Sequence, residues 1–285
     1  MAKQWFLETL HGGTSQGLEI QRKIFTRKTP FQDMQIFENE TFGRTLVLDG
    51  VVQTTERDEF IYHEMMAHIP IMAHPNPKDV LIIGGGDGGV AREALRHPSV
   101  KKVVMVEIDE GVITACQKHL PSISKGAFED ERLHVIIDDG AAYVRTTPDK
   151  FDVVVIDSPD PVGPAMTLFA IKFYRGIDRV LREGGIVIRQ AGSTFLQASE
   201  MKQTHRRMKH VFEHVNLCVT AIPTYVGGFF GLLVASHQSK PFRVTLRQLE
   251  ARYDKARLSC QYYNPAMHLA SLSVPNHVKA LLKTS

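Results

Sequence analysis

Five acidic side chains stand where they could bind a charged organic ligand: Asp87, Glu107, Asp139, Asp157 and Asp160. The first four lie at or just past the ends of short apolar runs, in LIIGGGDGG (81–89), KKVVMVE (101–107), LHVIIDD (133–139) and DVVVID (152–157). Asp160 follows three residues after Asp157, within DSPDPVGP (157–164). A lone acid after a strand is commonly a helix cap. Four at successive strand ends point instead to a ligand that is part nucleoside and part cation.

Gly84, Gly86 and Gly89 satisfy the G-x-G-x-x-G spacing of a dinucleotide turn, and Glu107, eighteen residues beyond Gly89, is placed to accept hydrogen bonds from a ribose diol. Asp87 argues against a dinucleotide, because a pyrophosphate at the following helix N-terminus would meet its carboxylate. The α-carboxylate of S-adenosylmethionine would meet the same repulsion. A sulfonium nucleoside ending in an ammonium would be attracted. The Asp157 and Asp160 pair also suits a metal, but His63 falls in a separate segment and no further ligand cluster is evident. The pair is therefore read as binding amines, and no metal is expected.

These acids need a scaffold that brings strand ends together. Residues 1–55 alternate apolar and polar positions in short runs, GLEIQRKIFTRK, FQDMQIFEN and GRTLVLDGVVQTTE, the period-two pattern of antiparallel hairpins. From residue 56 the texture changes to continuous apolar runs alternating with helical segments, beginning with ERDEFIYHEMMAHIPIMAH and GVAREALRH. The alternation continues through helices at 168–182 and 197–212, the strand GIVIRQ, and the pair NLCVTAIPT and FFGLLVAS. That predicts an α/β domain over 56–285, a doubly wound parallel sheet of seven strands covered on both faces, whose ligands sit outside the carboxyl ends of the strands. VTLRQLEARYDKAR and VPNHVKALLKT are expected to pack as helices on the same domain.

Composition narrows the partners. The 34 basic and 31 acidic residues are scattered without a basic run, which favours neither nucleic acid nor an anionic membrane surface. No apolar run approaches the ~18 residues of a membrane span, and the N-terminal stretch lacks the core of a secretion signal. Cys116, Cys218 and Cys260 form no C-x-x-C pair or zinc spacing, so reduced thiols and a cytoplasmic location are expected.

LDGVVQTTERDEFIYHEMM (48–66), GGGDGG (84–89), VEIDE (106–110), DDG (138–140), DSPDPVGP (157–164) and IPTY (222–225) together resemble the polyamine aminopropyltransferases, and among them the spermidine synthases. The resemblance runs from the N-terminal β-region to YYNP (262–265). It implies a Rossmann-like sheet of the class I methyltransferase type and a homodimer or homotetramer. The implied reaction transfers the aminopropyl group of decarboxylated S-adenosylmethionine to putrescine, giving spermidine and 5′-methylthioadenosine. Beyond that co-substrate, no cofactor is implied.

By position, Asp157 matches the family's proton acceptor and Tyr62 a tyrosine at the reaction centre, as does Tyr225. Gln32, Glu107, Asp139, Gly140 and Pro164 match nucleoside-binding positions, with Asp87 holding the aminopropyl ammonium. Gln53, His63, Ser158 and Asp160 match the acceptor side, and Glu8 its distal end. Met166 stands where the family loop commonly carries glutamate and Gly192 where eukaryotic members do, although bacterial members resemble this chain there, which leaves cadaverine, agmatine or spermidine open as acceptors. An S-adenosylmethionine-dependent methyltransferase and a polyamine-binding regulator without turnover are the rival readings. Intact Asp157, Tyr62 and Asp160 count against the second.

Overall fold

The computed structural model describes residues 3–159 and 163–283, with 163–165 described by backbone alone. Asp160 and the Pro164 side chain therefore lie outside the described residues.

The chain opens with two antiparallel sheets. β1 (Gln4–Glu8) pairs with β2 (Gln16–Ile20), and β3 (Arg22–Lys28), β4 (Asp33–Asn39), β5 (Gly43–Leu48) and β6 (Val51–Thr55) form a meander. The alternating run GLEIQRKIFTRK is divided at Gln21 between the two sheets. Asp49 (φ 48°) and Gly50 (φ 78°) supply the paired positive φ angles of a tight hairpin turn between β5 and β6.

β7 (Asp79–Gly84), β8 (Lys102–Glu107), β9 (Leu133–Ile137), β10 (Phe151–Asp157), β11 (Leu181–Ser193), β12 (His214–Thr220) and β13 (Phe230–Ser236) make one seven-stranded sheet, ordered β12-β13-β11-β10-β7-β8-β9. The chain runs outward from β7 through β8 to β9 and then returns to β10 on β7's other side, which puts the topological switch between β7 and β10. The expectation of a wholly parallel sheet fails at β13, which is antiparallel to both neighbours. Residues 221–229, which join it to β12, are too few for the dozen or so that a parallel crossover requires. At the opposite edge Val135 and Ile137 of β9 are exposed, so this apolar run is not covered on both faces as expected.

Alternate residues of the central strands enter opposite cores. Val80 and Ile82 of β7 and Val153 and Val155 of β10 pack on one face, while Leu81, Ile83, Val154 and Ile156 pack on the other. The first face is covered by α1 (Glu59–Ala73) and α2 (Gly89–Leu95). α1 is buried at every position but Phe60, the mark of an internal helix without a polar stripe. α3 (Glu110–His119) and α4 (Pro121–Ser124) pack against the N-terminal meander: Met34, Ile36, Leu46 and Leu48 form one cluster with Val112, Ala115, Cys116, Leu120 and Ile123.

α5 (Gly140–Thr146), α6 (Ile171–Val180) and α7 (Ala198–Lys209) cover the second face. The helix expected over 168–182 is α6 alone: a 3-10 turn over Gly163–Phe169 precedes it, and Leu181 already begins β11. α8 (Leu246–Ala256), α9 (Pro265–Ser271) and α10 (Asn276–Lys283) follow. Thr245 and Gln248 close a capping box on α8, and Val278 of α10 joins the second core. All three cysteines are free, and no helix among the described residues is long and apolar enough to cross a membrane.

Candidate active site

A cavity of about 500 Å³ opens at the carboxyl ends of β7, β8, β9 and β10, roofed by residues of the N-terminal sheets. Its lining includes Glu8, Gln32, Gln53, Tyr62, His63, Asp87, Glu107, Asp139, Gly140, Asp157, Ser158 and Tyr225. Glu8 and Tyr225, 217 positions apart in the sequence, thus converge on one volume.

The floor is the switch point. Gly84 pairs in register with Asp157, and Gly85 N donates to the Asp157 carbonyl at 3.0 Å. Gly84 has φ +85°, and a Cβ there would lie 2.0 Å from that carbonyl oxygen, so the close approach of β7 and β10 depends on glycine. A Cβ on Gly140 would likewise fall 2.5 Å from Ile83 Cγ2.

Tyr62 Oη donates to Asp157 Oδ1 at 2.7 Å. Burial, reinforced by the Asp87 carboxylate, pushes Asp157 up to about 6, against the opposing pull of His63 and the Tyr62 hydroxyl. Burial and the Asp157 charge hold the Tyr62 phenol well above its ordinary range, so it stays a donor. Tyr225 rests against the Tyr62 ring, with centroids 5.7 Å apart, and its hydroxyl donates to the Gln53 carbonyl.

Asp87 does two jobs. Its Oδ1 accepts Gly89 N at 2.8 Å, the helix-capping role of an acid at such a turn, while its Oδ2 meets His63 Nε2 at 3.2 Å. His63 Nδ1 meets Glu59 Oε2 at 2.5 Å, so both ring nitrogens are engaged. Burial works against an imidazolium, yet the Asp87 and Glu59 carboxylates overcome it and raise His63 to about 10. His63 lines the cavity beside Asp87.

His63, Asp87 and Asp157 also offer atoms all within 4.8 Å of one another. The fold thus assembles a three-residue set of metal-ligand types that the sequence did not disclose. With both nitrogens donating to carboxylates, His63 has no lone pair to offer a cation.

At the end of β8, Glu107 Oε1 accepts Asp109 N at 2.9 Å. Burial pushes Glu107 up to about 7, partly offset by the backbone N–H groups of Asp109 and Ile108. Asp139 caps α5 by accepting Ala141 N at 2.8 Å, beside Gly140. Gln32 reaches the cavity from the loop before β4, held by Nε2 donation to Asp109 Oδ2 at 2.9 Å, and Thr29 donates to the same oxygen at 2.7 Å. Asp109 was missed at the sequence level although it lies within VEIDE, because a helix cap and a bridge to Gln32 look alike there.

The rest of the lining is built from several segments. Glu8 Oε2 accepts Val52 N at 2.7 Å. Ser158 Oγ is buried without a hydrogen-bond partner among the described residues, and its carbonyl accepts Gln190 Nε2 at 3.1 Å. Asp58, also missed, fixes the turn bearing Tyr225 by accepting Thr224 N at 2.9 Å and Thr224 Oγ1 at 2.7 Å. Gly192 has φ +76°, and a Cβ there would sit 2.3 Å from Gln197 Oε1. Met166 is exposed.

The chain matches two family models: the spermine/spermidine synthase domain over residues 59–247 and the spermidine synthase tetramerisation domain over residues 4–56. It is 47% identical over 276 residues to a polyamine aminopropyltransferase of Erwinia tasmaniensis, covering 97% of this chain and 96% of that one. A polyamine aminopropyltransferase of Yersinia pestis is 46% identical over 282 residues, covering 99% and 95%. Among solved structures, a spermidine synthase in complex with the transition state analogue AdoDATO superposes with a TM-score of 0.94 at 38% identity, covering 99% and 96% of the two chains. The spermidine synthase of Thermotoga maritima superposes with a TM-score of 0.92 at 37% identity, covering 99% and 95%. The chain belongs to the spermine/spermidine synthase family and is an enzyme of the polyamine aminopropyltransferase type.

Proposed function

We propose that this enzyme transfers the aminopropyl group of decarboxylated S-adenosylmethionine to putrescine, giving spermidine and 5′-methylthioadenosine. The observation that carries this reading is the pairing of two chemically distinct carboxylates, Asp87 and Asp157, whose oxygens lie within 4.8 Å of each other at the switch point. One is suited to hold a spectator ammonium and the other to take a proton. The structural relative, a spermidine synthase in complex with the transition state analogue AdoDATO, supports this reading.

In the proposed reaction the amine lone pair forms a C–N bond at the aminopropyl carbon while the C–S electrons leave to sulfur. The sulfonium carries its own leaving group, so the displacement requires no redox step and no metal. A protonated amine cannot attack, and with a pKa near ~10 only about one part in a thousand is free base at neutral pH. Asp157 accepts the proton. Raised to about 6 by burial and by Asp87, it is a stronger base than an ordinary carboxylate yet still ionised at neutral pH. As charge moves from sulfur to nitrogen, an anion nearer the nitrogen stabilises the transition state more than the ground state.

Asp87 holds the aminopropyl ammonium and turns its reactive methylene toward the amine. Glu107 and Asp139 bind the nucleoside, with Gln32 closing over it. Tyr225, Gln53 and Ser158 line the amine path toward Glu8. We infer a homodimer or homotetramer from the matched N-terminal domain, whose β1 exposes Trp5 and Leu7. We place the reaction in the cytoplasm, where free thiols such as these persist.

The deciding experiment is a product assay with decarboxylated S-adenosylmethionine against putrescine, cadaverine, agmatine and spermidine. Spermidine formed from putrescine at the highest kcat/KM is expected. Preference for another amine reassigns the acceptor, and methyl transfer from S-adenosylmethionine in place of aminopropyl transfer overturns the reading.

A further inference from the structure

The two reactive carboxylates pose an electrostatic problem. Asp87 and Asp157 face each other across the site with oxygens within 4.8 Å, and two like charges so close tend to trap a proton between them. A trapped proton would remove both the ammonium anchor and the base. Behind Asp87 stands His63, 2% exposed, a position in which an unsupported imidazolium would lose its proton to burial. The ring is not unsupported. Glu59, one turn earlier in α1, accepts its Nδ1–H at 2.5 Å. Glu59 is itself gripped by Arg92 of α2, whose Nη1 and Nη2 reach its two oxygens at 2.8 and 2.9 Å. Arg92 Nε in turn donates to Glu93 at 2.7 Å, and an Nη1 donation to the Ile123 carbonyl ties the guanidinium to α4.

We propose that Glu59 and Arg92 are positioning residues for the transfer reaction. Their forked pair holds His63 as an imidazolium against Asp87, so that Asp87 and Asp157 remain ionised together before the two cationic substrates arrive. The inference rests on the aminopropyl-transfer reading. The alternation of charge is continuous: Asp87, His63, Glu59, Arg92 and Glu93 are anion, cation, anion, cation and anion, each in contact with the next. Glycine at 89 is part of the arrangement, since a Cβ there would fall 2.2 Å from His63 Nδ1.

The groups that act on this site come from every element around it. Glu59 and Tyr62 face His63 from α1, Asp87 from the turn after β7 and Arg92 from α2, while Glu107 from β8 bears on Asp157 from its far side. Burial opposes ionisation of Glu59, and His63 and Arg92 overcome it to hold the carboxyl below its ordinary range.

The test is Glu59→Gln in the full-length enzyme. The acid limb of kcat/KM for decarboxylated S-adenosylmethionine is expected to move up by about one pH unit or more, the shift an opposite charge within ~4–6 Å produces. Affinity for methylthioadenosine, which has no ammonium, should stay within about twofold, less than the roughly tenfold that one pH unit represents. An unmoved acid limb, or a loss of methylthioadenosine affinity equal to that for the donor, overturns the proposal. If Glu59→Gln does not fold, Arg92→Lys keeps the charge but loses the fork, and its limb should move in the same direction.

Ring-nitrogen NMR of the wild-type protein gives a readout that needs neither variant nor turnover. His63 should remain doubly protonated at about pH 8, and titration near its ordinary value of about 6.5 overturns the proposal. Absence of aminopropyl transfer to any amine would sink the functional reading while leaving this ring readout standing. Transfer with an unmoved limb would sink only the role of Glu59 and Arg92.

Discussion

Tyr62 Oη donates to Asp157 Oδ1 at 2.7 Å, across a gap of 95 residues in sequence. The phenol engages one carboxylate oxygen and stabilises the ionised form, the form that would take the proton in the proposed reaction. Asp157→Asn keeps the shape but cannot act as the base. Turnover should fall at least ~100-fold, the lower end of general-base effects, with methylthioadenosine affinity nearly intact. Steady-state rates and calorimetry measure the two, and turnover within tenfold of wild type would remove Asp157 from that role.

Because Asp157 is raised to about 6, kcat/KM should fall as pH drops below that value, where the base becomes protonated. Tyr62→Phe deletes a donor to the anion, and a hydrogen bond to a charged group contributes about 1.5–3 kcal/mol. The acid limb should therefore rise by about one unit or more. A pH profile of the variant checks this, and a limb that stays or moves down contradicts the geometry.

Asp87→Asn should weaken binding of decarboxylated S-adenosylmethionine by roughly tenfold or more and that of methylthioadenosine far less, since only the former carries the ammonium. It should also narrow the discrimination against S-adenosylmethionine. Competition binding with all three ligands separates these effects, and equal losses would count against an ammonium role.

Glu107, pushed up to about 7, must be ionised to accept both ribose hydroxyls well. Methylthioadenosine affinity should therefore decline as pH falls below that value, as the carboxyl takes up its proton. Glu107→Gln should abolish the pH dependence and cost about tenfold or more in affinity above neutrality. Calorimetry from about pH 6 to pH 8 tests both statements, and a flat wild-type profile would be inconsistent with a buried carboxylate as the diol acceptor.

Gly192→Glu forces a non-glycine residue to φ +76° against Gln197. A loss of about 1–2 kcal/mol, seen as a lower urea midpoint, is expected. Unchanged stability would show that the β11 backbone relaxes at this point.

What the sequence disclosed follows from which interactions are local. Apolar runs and the glycines around Asp87 locate strand ends, and a strand end fixes where its acid must stand. Partners joined only by folding were hidden: nothing in the spacing of Glu59 and Arg92, or of Gln32 and Asp109, marks them as pairs. The antiparallel return of β13 was hidden too, because a fully buried strand looks alike in either direction. β1 went unread as QWFLE, a five-residue strand whose pattern makes sense only beside β2.

The meander has one further consequence. Family models divide the chain between residues 56 and 59, but Met34, Ile36, Leu46 and Leu48 share a single apolar cluster with Val112, Ala115, Cys116, Leu120 and Ile123. The seam between these inherited modules is therefore not a seam in the packing. Exchanging the N-terminal module with that of a relative would graft a foreign surface onto α3 and α4, and a working chimera must carry those two helices across with it.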